Sequence, residues 1–199
     1  MAWSFAAAVA MAAPNVEGAA AQVDSAAVVS VEAGGALAGG ADALTTELAT
    51  ELADDSVRLV TDLLVANGAP AARAKPVAAA IMKYARLRSL DPLLIVGIIG
   101  VENATLVRRS RSRAGATGVM QVMPSWKRDI RDCGTDLHDV NVNVCFGTRI
   151  LQIAISETKT LREALLRYNG CVRAPGCHTY ASAVFSRAGR ALLLARAGP

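Results

Sequence analysis

A chain of 199 residues with a formal net charge of +4 and 4% aromatic residues has room for one sizeable domain and an extension, and a core of that size folds without a metal. Few aromatics beside abundant alanine argue against a β-sandwich and for an all-α domain. The charge is unevenly placed: residues 1–57 hold no Lys or Arg and eight acids, so all 21 basic residues lie beyond them, and a basic domain favours an anionic partner.

In chain order, residues 1–40 are rich in Ala, Gly and Val. Phe5 to Ala13 is a short apolar run, and Ala10-Met11-Ala12 or Val16-Glu17-Gly18-Ala19 offers a cleavage site. The segment reads as a signal-like or disordered low-complexity extension, although it has no basic n-region. It is too short and too weakly apolar for a membrane span. Val23 to Gly40 reads as linker, with Gly34-Gly35 and Gly39-Gly40 as flexible joints. From Ala41 to Ala66 helical spacing returns through Leu44, Leu48, Leu52, Val57, Leu59, Val60, Leu63 and Leu64, and Asn67-Gly68 stops it. Residues 41–70 are thus expected to form an accessory helix packed on or beside the main domain, or a helix for a partner. A second helix is expected from Pro76 to about Ser89, with Val77, Ala80, Ile81, Tyr84 and Leu87 on its inner face.

Asp91 and Pro92 are start signals for the third helix. Leu93, Leu94, Ile95, Val96, Ile98, Ile99 and Val101 leave it no polar face, so it belongs inside the domain. Glu102 arrives at its buried end. A carboxyl group there loses hydration of its charged form, which raises its pKa and keeps it protonated nearer neutrality, as a general acid requires. A solvated glutamate at a helix end is the plainer alternative. Next comes Ser112 to Pro124, SRAGATGVMQVMP, in which Gly115 and Gly118 permit close approach of backbone to a ligand. Gln121 sets one carboxamide among Met120, Val122 and Met123, a wall suited to a sugar ring; by itself it could be an ordinary loop.

Pro124 then opens a short helix with Trp126 and Ile130, broken at Cys133-Gly134. Asp139 or Asn141 begins the next, with Val142, Cys145, Phe146, Ile150, Leu151, Ile153 and Ala154 on its buried side. Thr160-Leu161-Arg162-Glu163 is a capping box opening a helix that reaches Tyr168-Asn169-Gly170. The last helix runs from about His178 to Arg196, with Tyr180, Val184, Leu192 and Leu193 available for packing.

The order Glu102, Ser112-x-x-Gly115-Ala116-x-Gly118-x-Met120-Gln121-x-Met123-Pro124, Asn143-Val-x-x-Gly147-x-x-x-Leu151, Tyr168-Asn169-Gly170 and Tyr180 resembles the soluble lytic transglycosylase (SLT domain) family. That resemblance, over residues 75–195, implies an all-α, lysozyme-like helical domain of goose type at residues 71–199. It implies a peptidoglycan substrate, cleaved between N-acetylmuramic acid and N-acetylglucosamine with a 1,6-anhydro product. Glu102 would be the single acid and then base. Ser112 and Gln121 would orient sugar substituents, Met123 would line the cleft, Tyr168 would position the acid or the N-acetyl group, Asn169 would shape the turn and Tyr180 would close the site. For both tyrosines a buried ring with a satisfied hydroxyl is the bland alternative. The sequence departs from the family at Asn103, where serine is usual, and at Tyr-Asn-Gly-Cys, where Tyr-Asn-Ala-Gly is usual.

Four cysteines permit three pairings; the local ones, Cys133 with Cys145 and Cys171 with Cys177, are expected, each bracing a loop near the cleft. Such bridges need an oxidising compartment, so the protein is expected to be periplasmic or secreted. Zinc on Cys177, His178 and His138 is the rival, but no C-x-x-C pair accompanies them, and neither a metal nor a cofactor is expected. The run Arg108-Arg109-Ser110-Arg111-Ser112-Arg113 carries no nucleic-acid-binding signature and few aromatics to stack on bases. The expected partner is the glycan strand with its carboxylate-bearing stems, and further an envelope-spanning secretion or transfer apparatus, with no nucleic acid and no transmembrane segment. Two other classes stay open. One is a hydrolase of the same fold using Asp129, Asp132, Asp136 or Asp139 as second carboxylate; the other is a catalytically silent wall-binding scaffold.

Overall fold

The computed structural model describes residues 38–170 and 178–197, with side chains from Thr45 to Arg196 within them. The signal-like segment and the Cys171–Cys177 pairing lie outside the described residues.

Six helices carry the described chain: α1 (Ala38–Ala66), α2 (Ala71–Arg88), α3 (Pro92–Glu102), α4 (Val140–Ser156), α5 (Leu161–Tyr168) and α6 (Thr179–Ala197), with a 3-10 turn at Pro124–Arg128. Among the described residues the only β pairing is two isolated bridges, Arg111 with Thr117 and Thr117 with Val122. The all-α, lysozyme-like class expected from the sequence is the class observed. No described helix is long and apolar enough to cross a membrane.

Local signals set most boundaries. The Asp91 side chain accepts from Leu93 N–H at 2.8 Å, Asp139 accepts from Val142 N–H at 2.9 Å, and Thr160 with Glu163 closes the capping box. Each satisfies N–H groups that a helix start leaves free. Two boundaries differ from expectation. α1 begins at Ala38, so Gly39-Gly40 falls in its first turn and not in a linker. α2 begins at Ala71 and carries Pro76 inside it. Pro76 removes a single ladder bond close to the end where N–H groups are free anyway, so the helix tolerates it.

The core is built around α3. Ile95, Val96, Ile98 and Ile99 are completely enclosed, as a helix without a polar face must be. It packs most extensively on α6, and Gly97 permits the approach: a Cβ there would stand 2.6 Å from the Val184 carbonyl oxygen. α2 meets α4 through small residues, Ala74, Ala78 and Ala85 facing a core that includes Phe146 and Leu151. Burying each of those two large side chains contributes roughly 1.5–3 kcal/mol.

Five positions expected to pack face outward. Leu48, Leu52 and Leu59 are 58%, 65% and 53% exposed, and only the last turns of α1, through Val60, Leu63 and Leu64, enter the core. Leu87 is exposed because the buried stripe of α2 passes through Ala85 and Arg88. Leu193 is exposed as well, while its neighbour Leu192 packs against the core.

Cys133 and Cys145 are joined, tying the loop before α4 to that helix. The buried Arg88 guanidinium rests against both sulfurs, 3.3 Å from Cys145 Sγ and 3.7 Å from Cys133 Sγ. It also stacks on the Tyr84 ring at 5.1 Å. Burial pushes its pKa down, and the charge of Asp132 opposes that shift.

Candidate active site

Glu102 is the last residue of α3, half-buried where that helix runs out beside α6. The Tyr180 hydroxyl, from the first turn of α6, donates to Glu102 Oε1 at 2.6 Å. The side chain of Asn169, the residue that caps α5, also lies close enough to favour the ionised carboxylate. Burial raises the Glu102 pKa above the ordinary carboxylate value, and Tyr180 and Asn169 oppose it. No carboxylate is among the groups that shift Glu102, so its charge is not shared with a second acid among the described residues. The pKa of Tyr180 is pushed far up, by burial first and then by Tyr168 and Glu102, so it stays a hydrogen-bond donor.

Tyr168, at the end of α5, stands close enough to Glu102 for the carboxylate's charge to add to the effect of burial in raising its pKa. Its hydroxyl, however, donates to the Met120 carbonyl at 2.8 Å. The hydroxyl that meets the acid is therefore that of Tyr180, and the one that anchors the loop is that of Tyr168.

That loop is held on three sides. Thr117 and Val122 exchange two backbone hydrogen bonds of 2.9 Å, closing a tight turn over Gly118–Gln121. Gly118 has φ +85, and a Cβ on it would lie 2.2 Å from Asn143 Nδ2, so the turn closes over the Asn143 side chain only because that atom is missing. Asn143, fully buried in α4, accepts from Met120 N–H at 2.8 Å and donates to the Thr117 and Leu137 carbonyls, both at 2.9 Å. Asn103, where the sequence departs from the family, turns away from Glu102. It donates to the Val107 and Gly118 carbonyls at 2.9 and 3.2 Å and accepts from Val107 N–H and the Thr105 hydroxyl.

Gln121 sits half-buried at φ +50, a left-handed backbone that costs a non-glycine residue about 1–2 kcal/mol. Its Nε2 donates to the Gly118 carbonyl at 2.9 Å and to Ser110 Oγ at 3.4 Å. Ser112 is exposed, with its hydroxyl accepting from Ala116 N–H at 3.0 Å. Met123 is exposed, 38% accessible. The structure thus brings Glu102, Asn169, Tyr180 and Tyr168 together, joins Tyr168 to the Met120–Met123 wall, and leaves Ser112 bracing the turn before it. Sequence reasoning assigned no role to Asn143, Asn103 or Ser110. Their partners lie up to 26 residues away, and no local spacing marks such bonds.

Asp136 and Asp139 are engaged with the His138 and Val142 amides. Arg108 and Arg109 line a separate cavity of about 620 Å³ with Arg73, Pro76, Val77 and Asn141, and Glu102 takes no part in it.

No curated protein matches the chain. A family model does, that of the Transglycosylase SLT domain, over residues 79–175, a stretch that takes in Glu102, the glycine-bearing loop, Asn143 and Tyr168-Asn169 but stops short of Tyr180. Residues 79–175 match the transglycosylase SLT domain family, and that match supports a peptidoglycan-acting function of lytic transglycosylase type.

Proposed function

We propose that the chain cleaves the β-1,4 bond between N-acetylmuramic acid and N-acetylglucosamine in peptidoglycan, with Glu102 as general acid and then general base and a 1,6-anhydromuramic acid product. The observation that carries this reading is the Tyr180–Glu102 hydrogen bond of 2.6 Å on a carboxyl whose pKa burial raises. Tyr180 takes Oε1, which fixes the carboxyl rotamer and leaves Oε2 to carry the proton. In the first step that proton passes to the glycosidic oxygen as the bond to carbon 1 breaks, and the substrate's own N-acetyl oxygen stabilises the positive charge. Glu102, now ionised, accepts the proton of the carbon-6 hydroxyl as that oxygen bonds to carbon 1. The proton count closes and water is not consumed. An internal hydroxyl already placed beside carbon 1 has a large advantage over solvent.

One further observation favours one acid over two. No carboxylate is among the groups that shift the Glu102 pKa. A hydrolase needs a second carboxylate across the bond. Around the acid, Gln121 keeps its side-chain carbonyl oxygen as an acceptor for a sugar substituent, Met123 lines the cleft rim and Ser112 supports the turn. Tyr168 fixes the loop, and Asn169 steadies the carboxylate. Residues 71–199 would form the transglycosylase unit and α1 its accessory helix. The Cys133–Cys145 bridge favours a periplasmic or secreted setting, since such bridges persist where the medium is oxidising; an envelope-spanning apparatus is the kind of assembly such an enzyme would serve.

Mass spectrometry of purified sacculi digested with the full chain tests the proposal. Anhydromuropeptides are expected. Reducing ends would replace the reading with a hydrolase, and sacculi that bind the protein but release nothing would replace it with a scaffold.

A further inference from the structure

Two helix faces of opposite charge stand uncovered among the described residues. α1 enters the core by Val60, Leu63 and Leu64, yet Leu48, Leu52 and Leu59 are each more than half exposed. At about 100° per residue these three fall within an arc of roughly 40°, a second stripe about a quarter of a turn from the buried one. Glu51, Asp55 and Asp62, all exposed, run along one edge of it; Asp55 also pairs with Arg58.

α6 meets α3 by Val184, Ala188 and Ala191 and turns another face outward. There Phe185 and Leu193 stand exposed, four residues before and four residues after Gly189. A Cβ at Gly189 would meet nothing within 4 Å. The result is a ridge with a notch at its middle. Arg190 lies to one side of it and Arg196 just past its C-terminal end, both exposed, and α6 contains no acid. Apolar side chains of one helix seat into such gaps on another when helices pack.

We propose that these faces form one interface, in which α1 of one copy of this chain docks on α6 of a second copy. A leucine of the α1 stripe sits at the Gly189 notch, and the Glu51, Asp55 and Asp62 edge lies along Arg190 and Arg196. Within a single copy each helix holds the core by its other face, so the two uncovered faces cannot meet there unless one helix leaves the core. Opposite charge sets the pairing and the direction, and the apolar contact supplies the adhesion. The inference is independent of the reaction proposed for Glu102.

Sedimentation or light-scattering mass of the full chain over a range of concentrations tests it. The wild type is expected to self-associate, and added salt should weaken the association by screening the flanking charges. Leu48→Ser/Leu52→Ser/Leu59→Ser should be monomeric, and so should Phe185→Ser/Leu193→Ser, with helical content preserved by circular dichroism. An equimolar mixture of the two should pair again, because the first keeps an intact α6 and the second an intact α1. Charge reversal gives the same readout without removing apolar surface. Glu51→Arg/Asp55→Arg should self-associate at least tenfold more weakly and regain pairing with Arg190→Glu/Arg196→Glu. A wild type that stays monomeric at every concentration overturns the proposal, whatever covers the faces. So does a mixture that fails to pair, or an α6 variant that still self-associates, which would mean that α1 meets α1.

Discussion

Asn143, wholly enclosed in α4, has both donors and an acceptor engaged with backbone groups of the Thr117–Met120 turn and Leu137. Glu102, half-buried at the end of α3, has Tyr180 on one oxygen and a side chain of the exposed Asn169 beside it. Both are polar groups taken into the same helical domain, and the difference lies in what is left over. Asn143 has almost no hydrogen-bonding capacity to offer a ligand, which is how a buried amide stabilises a fold. Glu102 is only partly enclosed and has a proton affinity raised by burial, which is unfavourable for stability and suited to the proton transfer proposed for it. Adjacent residues can thus be polar for opposite reasons: Asn103, next to Glu102, is saturated like Asn143.

The largest way to break that contrast is Glu102→Gln. Release of soluble muropeptides should fall by about 10³-fold, the scale of a lost acid/base group. Stability should move the other way. Burial raises the Glu102 pKa above its unfolded value, so the contribution of this group is fully present at low pH and is lost as pH rises through the folded pKa. Thermal melts of Glu102→Gln should therefore match the wild type in acid and lie above it in mild alkali; a lower melt throughout would show the carboxylate to be structural. Asn143→Ala should do the reverse, costing about 3 kcal/mol in urea unfolding because three buried backbone groups lose their partner. Its residual activity should fall with the loop that Asn143 holds.

Tyr180→Phe sharpens the comparison by removing the bond that lowers the Glu102 pKa. The lytic rate should drop by roughly tenfold through loss of orientation. The alkaline limb of the pH profile should move to higher pH, since a carboxyl without that donor holds its proton longer; an unmoved limb would detach Tyr180 from the acid. Thr148→Val should show the smallest effect, less than about 1 kcal/mol. Its buried hydroxyl donates only to the Val144 and Cys145 carbonyls of its own helix, whose ladder bonds remain.

What the sequence disclosed was what local chemistry decides. The caps at Asp91, Asp139 and Thr160 each involve residues no more than three positions apart, and the apolar run of α3 could only be interior. Glu102 could be singled out in the sequence as a carboxyl group at the end of an interior helix, and Gln121 and Tyr168 were singled out through the family resemblance. The Tyr180 bond to Glu102 spans 78 residues, and no periodicity predicts which of two tyrosines reaches the acid. Asn143 illustrates the same limit. The exposed leucines of α1 fail for another reason, because helical spacing marks an apolar face without saying whether this copy of the chain covers it. Pro76 misled because a proline near a helix start and a proline as the start itself leave the same local pattern.

The contact at Gly97 has a consequence for the chemistry. The acid is on α3 and the hydroxyl that steadies it is on α6, so their spacing is set by how closely the two rods lie, and the gauge of that spacing is a missing methyl group more than a full helical turn from the carboxylate. A side chain there would force the Val184 backbone away and pull the phenol from its oxygen. The proposed reaction would therefore depend on a position with no chemistry of its own, which a search confined to groups placed to touch a sugar would never try.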